Sequence, residues 1–170
     1  MTVSRNIGFL NLPSGANGQW GGIGTMLRKF ESLMEPGERV KALADPIFRF
    51  LTSLIFIIGG LGHFGRSNEM LARMDESPWR DTINAFGDPI WLLWLSGGVF
   101  VAVGTTLALG CMTRLSAIAL FATLAPITVT IHFAPGHVGP LFKNVAILGA
   151  LMLIFAHGPG HYALDSRPRK

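Results

Sequence analysis

The sequence is short of charge, and the shortage comes in blocks. Charged residues make up 14% of the chain, where about 25% is usual for a soluble domain. Residues 90–109 contain no Asp, Glu, Lys, Arg or His, and residues 115–131 contain none either. A stretch of about 20 helical residues covers the ~30 Å hydrocarbon core of a bilayer, so these runs have the length of membrane spans. Cysteine is also scarce. Cys111 has no partner in the chain, which excludes an intrachain disulfide. Residues 1–25 lack the apolar segment of a cleavable leader, so the first span is expected to serve as the targeting signal.

What is present fits an all-α integral membrane protein. The expected fold is a four-transmembrane-helix bundle with an amphipathic N-terminal arm. The expected division is an arm over residues 1–45, a membrane domain over 46–166 and a basic tail over 167–170. In the arm, Met26, Leu27, Phe30, Leu33 and Met34 recur at helical steps, with Arg28, Lys29 and Glu31 between them. That pattern predicts an amphipathic helix, interrupted near Pro36-Gly37. It suits a membrane surface, a partner chain, or the bundle's own flank.

The four spans are expected over residues 46–63, 89–109, 115–133 and 141–157. Asp45-Pro46 and Asp88-Pro89 each read as a cap followed by a first-turn proline. Arg49 lies one turn inside the first span, where a long side chain can snorkel to headgroups. Trp91 and Trp94 suit an interfacial aromatic belt, and Pro126 is expected to kink the third span. The short loop at 110–114 makes spans two and three an antiparallel pair. In the longer loop, Ser77-Pro78 announces a short helix on the outer surface of the bundle, with Trp79, Ile83 and Phe86 on one face. Gly98, Ala102 and Thr106, and Ala146 and Ala150, are spaced for close helix packing, and Gly59, Gly60 and Gly62 thin one end of span one.

Positive charge orients the chain. Arg5, Arg28, Lys29, Arg39, Lys41, Arg114, Arg167, Arg169 and Lys170 share one side of a four-span topology, against Arg66, Arg73, Arg80 and Lys143 on the other. This bias places both termini in the cytoplasm. The net charge of +4 is therefore read as topology, and no nucleic-acid partner is expected. The partners expected are the lipid bilayer and other membrane subunits.

Polar groups within the apolar zone fall into two clusters, and such groups are the main functional clues in a membrane protein. The outer cluster holds His63, His132, His137, Lys143 and Asn144. His63 and His132 could ligate a haem, although no second pair or attachment motif accompanies them. His63, His132, Lys143 and Asn144 could instead hydrogen-bond the head group of a quinone-type ligand. They could also simply satisfy helix ends. No metal site is expected, because this cluster has no His-x3-His or cysteine pair. The inner cluster holds Arg49, Arg114, His157, His161 and Asp165. Gly158-Pro159-Gly160 stops the last span, and Asp165 is expected to pair structurally with Arg49 or Arg114.

Two stretches carry a family resemblance. "FRFLTSLIFIIGGLGHF" and "KNVAILGALMLIFAHGPGHYALD" resemble the first and last spans of the DoxX family of small bacterial four-helix membrane proteins. The matching positions are Arg49 and the Gly59–His63 turn, then Lys143, Asn144, Gly149, Gly158, Pro159, Gly160, Ala163, Leu164 and Asp165. The resemblance covers roughly 46–166 and leaves out the arm. It implies a multi-pass protein of the bacterial inner membrane with links to quinone-coupled oxidation. A membrane-embedded accessory or structural subunit of a redox or energy-converting complex is the leading expectation. The observation behind it is the arm, since a Gly-rich arm is seldom ordered unless something holds it. A quinone-linked oxidoreductase acting through the outer cluster is the first alternative, and a small-solute transporter the second. Only one span is expected to be broken by proline, which weighs against the transporter.

Overall fold

The computed structural model describes residues 17–132, 138–160 and 162–166, with side chains described from residue 24 onward. Seven helices are described: α1 (Asn17–Leu33), α2 (Glu38–Gly65), α3 (Ser67–Asp75), α4 (Arg80–Ala85), α5 (Pro89–Leu109), α6 (Thr113–His132) and α7 (Val138–His157). Four of them, α2, α5, α6 and α7, are long and apolar enough to cross a membrane. The chain divides into two units, Met1–Glu38 and Arg39–Lys170. In the first, α1 is the amphipathic helix expected from the sequence, and Met26, Leu27, Phe30 and Leu33 are all exposed.

Helix α2 begins earlier than expected. Asp45 is not its cap and Pro46 is not its first turn, because the helix already runs from Glu38. The run Arg39-Val40-Lys41-Ala42-Leu43-Ala44 is rich in helix formers. The proline forfeits a single i→i−4 bond, and here the helix continues through it. Helix α5 starts as the sequence suggests, with Asp88 Oδ1 accepting from the Ile90 N–H at 3.0 Å and Pro89 in the first turn. Its end is a left-handed Gly110 with φ +69°. There the Cys111 N–H bonds back to the Thr106 carbonyl at 2.9 Å and the Gly110 N–H to that of Leu107 at 3.0 Å, closing the last turn as a glycine stop does.

The core shows which helix faces point inward. On α5 the buried residues are Leu93, Gly97, Phe100, Gly104 and Leu107, at steps of four and three. On α7 they are Asn144, Ile147, Leu151 and Ile154. Of these, Phe100, Leu107, Ile147, Leu151 and Ile154 form one apolar cluster with Phe56 of α2 and Ala117, Leu120 and Leu124 of α6. Phe56 meets Phe100 edge-on, with ring centroids 5.2 Å apart. The outward faces carry Ile58, Leu61, Leu95, Phe142 and Met152, all more than half exposed. A helix bundle that is apolar outside as well as inside is built for lipid.

Small residues set the approach of α2 to α5: Gly60, as the sequence suggested, but Gly97 rather than Gly98. A Cβ on Gly60 would lie 2.7 Å from the Gly97 carbonyl oxygen, and one on Gly97 would lie 2.8 Å from His63 Cβ. Gly98 has open space around it, Ala102 is exposed, and so is Ala146. The buried positions of α5 here are instead Gly97, Phe100, Gly104 and Leu107.

Between α2 and α5 the chain forms two short helices. The sequence indicated only the second. Ser77 Oγ accepts from the Trp79 N–H at 3.1 Å and donates to the Thr130 carbonyl of α6, pinning this segment to the bundle. Of the three residues expected on one face, Ile83 is buried, while Trp79 and Phe86 are exposed. Trp79 and Phe86 flank the six-residue helix Arg80–Ala85 as its caps and do not lie within it.

Candidate functional site

Polar side chains gather at the two ends of the bundle. At one end His63, in the last turn of α2, points at α5. Its Nδ1 lies 3.1 Å from the Leu93 carbonyl and 3.0 Å from Ser96 Oγ, and its ring leans on Phe100 at 5.5 Å. Asn144 is buried in α7, where its Nδ2 donates to Thr128 Oγ1 of α6 at 3.2 Å. Thr128 in turn donates to the Leu124 carbonyl at 2.8 Å. Lys143 is exposed beside it, and His132 is half-buried at the end of α6. His63 and Asn144 thus each bond a neighbouring helix rather than one another. His137 lies outside the described residues.

A double-mutant cycle measures what the Asn144–Thr128 bond contributes. Hydrogen bonds between membrane helices average about 0.6 kcal/mol and reach about 1.7. Asn144→Leu and Thr128→Val together should show a coupling of about 1 kcal/mol in unfolding from detergent. A coupling near zero would mean that the bond does not join α6 to α7.

The other end holds the denser network, built where α2, the α5–α6 loop and the segment after α7 meet. Gly158 and Gly160 take left-handed φ of +82° and +64°, and the chain turns back across the bundle. Tyr162 and Met112 do the same without being glycine, at φ +57° and +49°. Each such residue carries roughly 1–2 kcal/mol of strain, so something must hold both in place.

Two side chains do so. Arg49, only 4% exposed, donates from Nη1 to the Pro159 carbonyl at 2.5 Å and from Nη2 to that of Tyr162 at 3.5 Å. It does not snorkel, because carbonyls left over beyond α7 lie within its reach. Asp165 accepts from the Met112 N–H at 2.8 Å and the Thr113 N–H at 2.7 Å. It thereby caps α6 from a residue far along the chain, with its own N–H on the Gly110 carbonyl at 3.0 Å. A Cβ on Gly110 would lie 2.7 Å from Ala163 Cβ and 2.9 Å from Arg49 Cζ, so only glycine fits there.

The expected pairing of Asp165 with an arginine takes another form in the structure. Asp165 bonds backbone amides, and Arg49 acts on it as a nearby charge. Arg114 is exposed and packs its guanidinium over Gly158. His157 is exposed, with Nδ1 3.1 Å from the Leu153 carbonyl, and His161 lies outside the described residues. The amides of Thr113 and Met112, with Arg49 beyond them, hold the Asp165 carboxyl below the usual carboxylate range. A lowered carboxyl stabilises the fold above its unfolded pKa, and the contribution vanishes as the pH falls through the folded value. Asp165→Ala should therefore cost about 1–2 kcal/mol near neutral pH. That difference from wild type should shrink on strong acidification, as read from detergent melting curves. A pH-independent difference would mean that the carboxylate charge is not what caps α6.

The first-span residues of this network fall within a stretch that can be compared with known families. The DoxX family model matches residues 44–133, more than half of the chain. The chain belongs to the DoxX family. No curated protein and no solved structure matches it. The DoxX stretch runs from within α2 to just past the end of α6, and so includes Arg49, His63 and Gly110. Pro159, Tyr162 and Asp165, which complete the network, lie beyond it. Sequence reasoning missed Ser96, Gly110 and Thr128. Hydroxyls are common in membrane helices and mostly bond the carbonyl one turn back, as Thr123 and Thr130 do here. Nothing in the sequence marks the ones that cross to a neighbour.

Proposed function

We propose that this DoxX-family membrane protein is an accessory or structural subunit of a redox or energy-converting complex of a bacterial inner membrane. The carrying observation is α1, an amphipathic helix outside the family match whose apolar residues are exposed. A helix with Arg28 and Lys29 on one side and Met26, Leu27, Phe30 and Leu33 on the other suits a flat apolar partner. The use of His63 and Asn144 in helix-to-helix bonds supports the same reading, since both serve packing. The charge bias of nine basic residues against four supports cytoplasmic placement of α1, of the α5–α6 loop and of both termini.

The test is purification of the tagged full chain from its native membrane in mild detergent, followed by identification of the accompanying chains. The expected result is a stoichiometric partner carrying a redox cofactor, lost when Leu27, Phe30 and Leu33 are changed to serine. A single-chain particle, unchanged by those substitutions, would contradict the proposal.

A further inference from the structure

A cavity of about 290 Å³ opens between the amino half of α2 and the end of α7. Ala44, Phe48, Leu153 and Ile154 give it apolar walls, and Asp45, Arg49 and His157 give it a polar end. Phe48 and Leu153 are 39% and 48% exposed on the flank of the bundle, the side a bilayer would cover. A site that is polar at the membrane end and apolar along its length matches an amphiphile.

The polar end is specific. The Arg49 guanidinium gives Nη1 and Nη2 to carbonyls of the turn after α7, while its Nε–H is buried with no acceptor among the described residues. The Arg49 charge at this end of the cavity favours a negatively charged oxygen that enters it. Asp45 stands beside it as an exposed carboxylate, near enough to Arg49 to be felt as a charge. The mouth therefore presents a cation and an anion together. An anionic headgroup would meet Arg49 but be repelled by Asp45, whereas a zwitterionic one satisfies both.

We propose that this cavity holds one phospholipid with a zwitterionic ethanolamine headgroup. Its phosphate or ester oxygens face Arg49, its primary ammonium faces Asp45, and an acyl chain runs along Phe48, Leu153 and Ile154. The ammonium matters because it can donate hydrogen bonds to a carboxylate, and a quaternary choline cannot.

The experiment titrates phosphatidylethanolamine, phosphatidylglycerol and phosphatidylcholine into the delipidated full chain in detergent, counting bound lipid by native mass spectrometry. Wild type should bind one phosphatidylethanolamine about tenfold more tightly than either other lipid. Asp45→Asn should erase the preference over phosphatidylglycerol by raising binding of the anionic lipid. Leu153→Trp, which fills the apolar part without touching the polar end, should weaken phosphatidylethanolamine binding about tenfold with the melting temperature kept. Free phosphoethanolamine at equal concentration should not compete, since it lacks the chain. Equal affinity for the three lipids, an unchanged preference in Asp45→Asn, or displacement by phosphoethanolamine would each overturn the proposal.

Discussion

Replacing Gly97 with leucine should abolish the folded bundle, while the same change one residue later should leave it intact. At Gly97 even the first added carbon would lie 2.8 Å from His63 Cβ and 3.0 Å from the Gly60 carbonyl oxygen. Both atoms belong to the α2 framework and cannot rotate away. Overpacking a core typically costs 1–3 kcal/mol when side chains can shift. Here the two helices themselves would have to part, and a loss of more than about 3 kcal/mol is expected. Parting them would also break the His63 contacts with Leu93 and Ser96 and the Phe56–Phe100 edge contact. Gly98 has nothing within 4 Å of its added carbon, so Gly98→Leu should sit within about 0.5 kcal/mol of wild type. Helix propensity is the same for both changes, which makes the pair self-controlled. Size-exclusion profiles and thermal unfolding in detergent would read the difference. Equal behaviour of the two variants would mean that α2 and α5 do not cross at Gly60 and Gly97.

The second large effect is expected at Arg49. Arg49→Ala removes both donors from the Pro159 and Tyr162 carbonyls and frees the turn after α7, which holds the strained Tyr162. A hydrogen bond from a charged group contributes about 1.5–3 kcal/mol. The bond to Tyr162 is long, so the total expected loss is about 3 kcal/mol. Arg49→Lys keeps the charge but offers a single ammonium in place of a fork, and should recover only about half. Arg114→Ala, at an exposed arginine of the same end, should cost less than about 1 kcal/mol. Limited proteolysis offers a second readout: the segment after His157 should become cleavable in Arg49→Ala and stay protected in Arg114→Ala. An Arg49→Ala protein as stable as wild type would show that the turn is held by something else.

The legible part of this fold was the part written in charge. Charge-free runs gave α5 and α6 almost to the residue, and Asp88-Pro89 and Gly158-Pro159-Gly160 marked a start and a stop. The amphipathic α1 was visible for the same reason, since its polar and apolar residues alternate at helical spacing. Inside the membrane that signal disappears. A helix apolar on every side does not reveal which side meets its neighbours, so Gly98 looked as suitable for packing as Gly97. Helix α2 ran on through Pro46 because the residues before it favour helix, a balance that a proline rule alone misjudges.

At the candidate sites the sequence named the charged residues and left their partners open. Asp165 is expected from the sequence to pair with Arg49 or Arg114. The structure instead gives Asp165 and Arg49 backbone groups from a distant segment, which no side-chain pattern announces. Gly110 is required because Ala163 and Arg49 close over it, and that requirement exists only after folding has brought residues 49, 110 and 163 together.

Cys111 permits a direct test of the four-span topology. It lies half-buried in the α5–α6 loop and is the one cysteine of the chain. Its labelling by a membrane-impermeant maleimide can be compared between inside-out and right-side-out vesicles. A second protein, Cys111→Ser with Glu76→Cys, places the thiol in the exposed turn before α4. Cys111 should react only in inside-out vesicles and the residue-76 thiol only in right-side-out ones. Reaction of both from the same side would contradict a chain that crosses the bilayer between these two points.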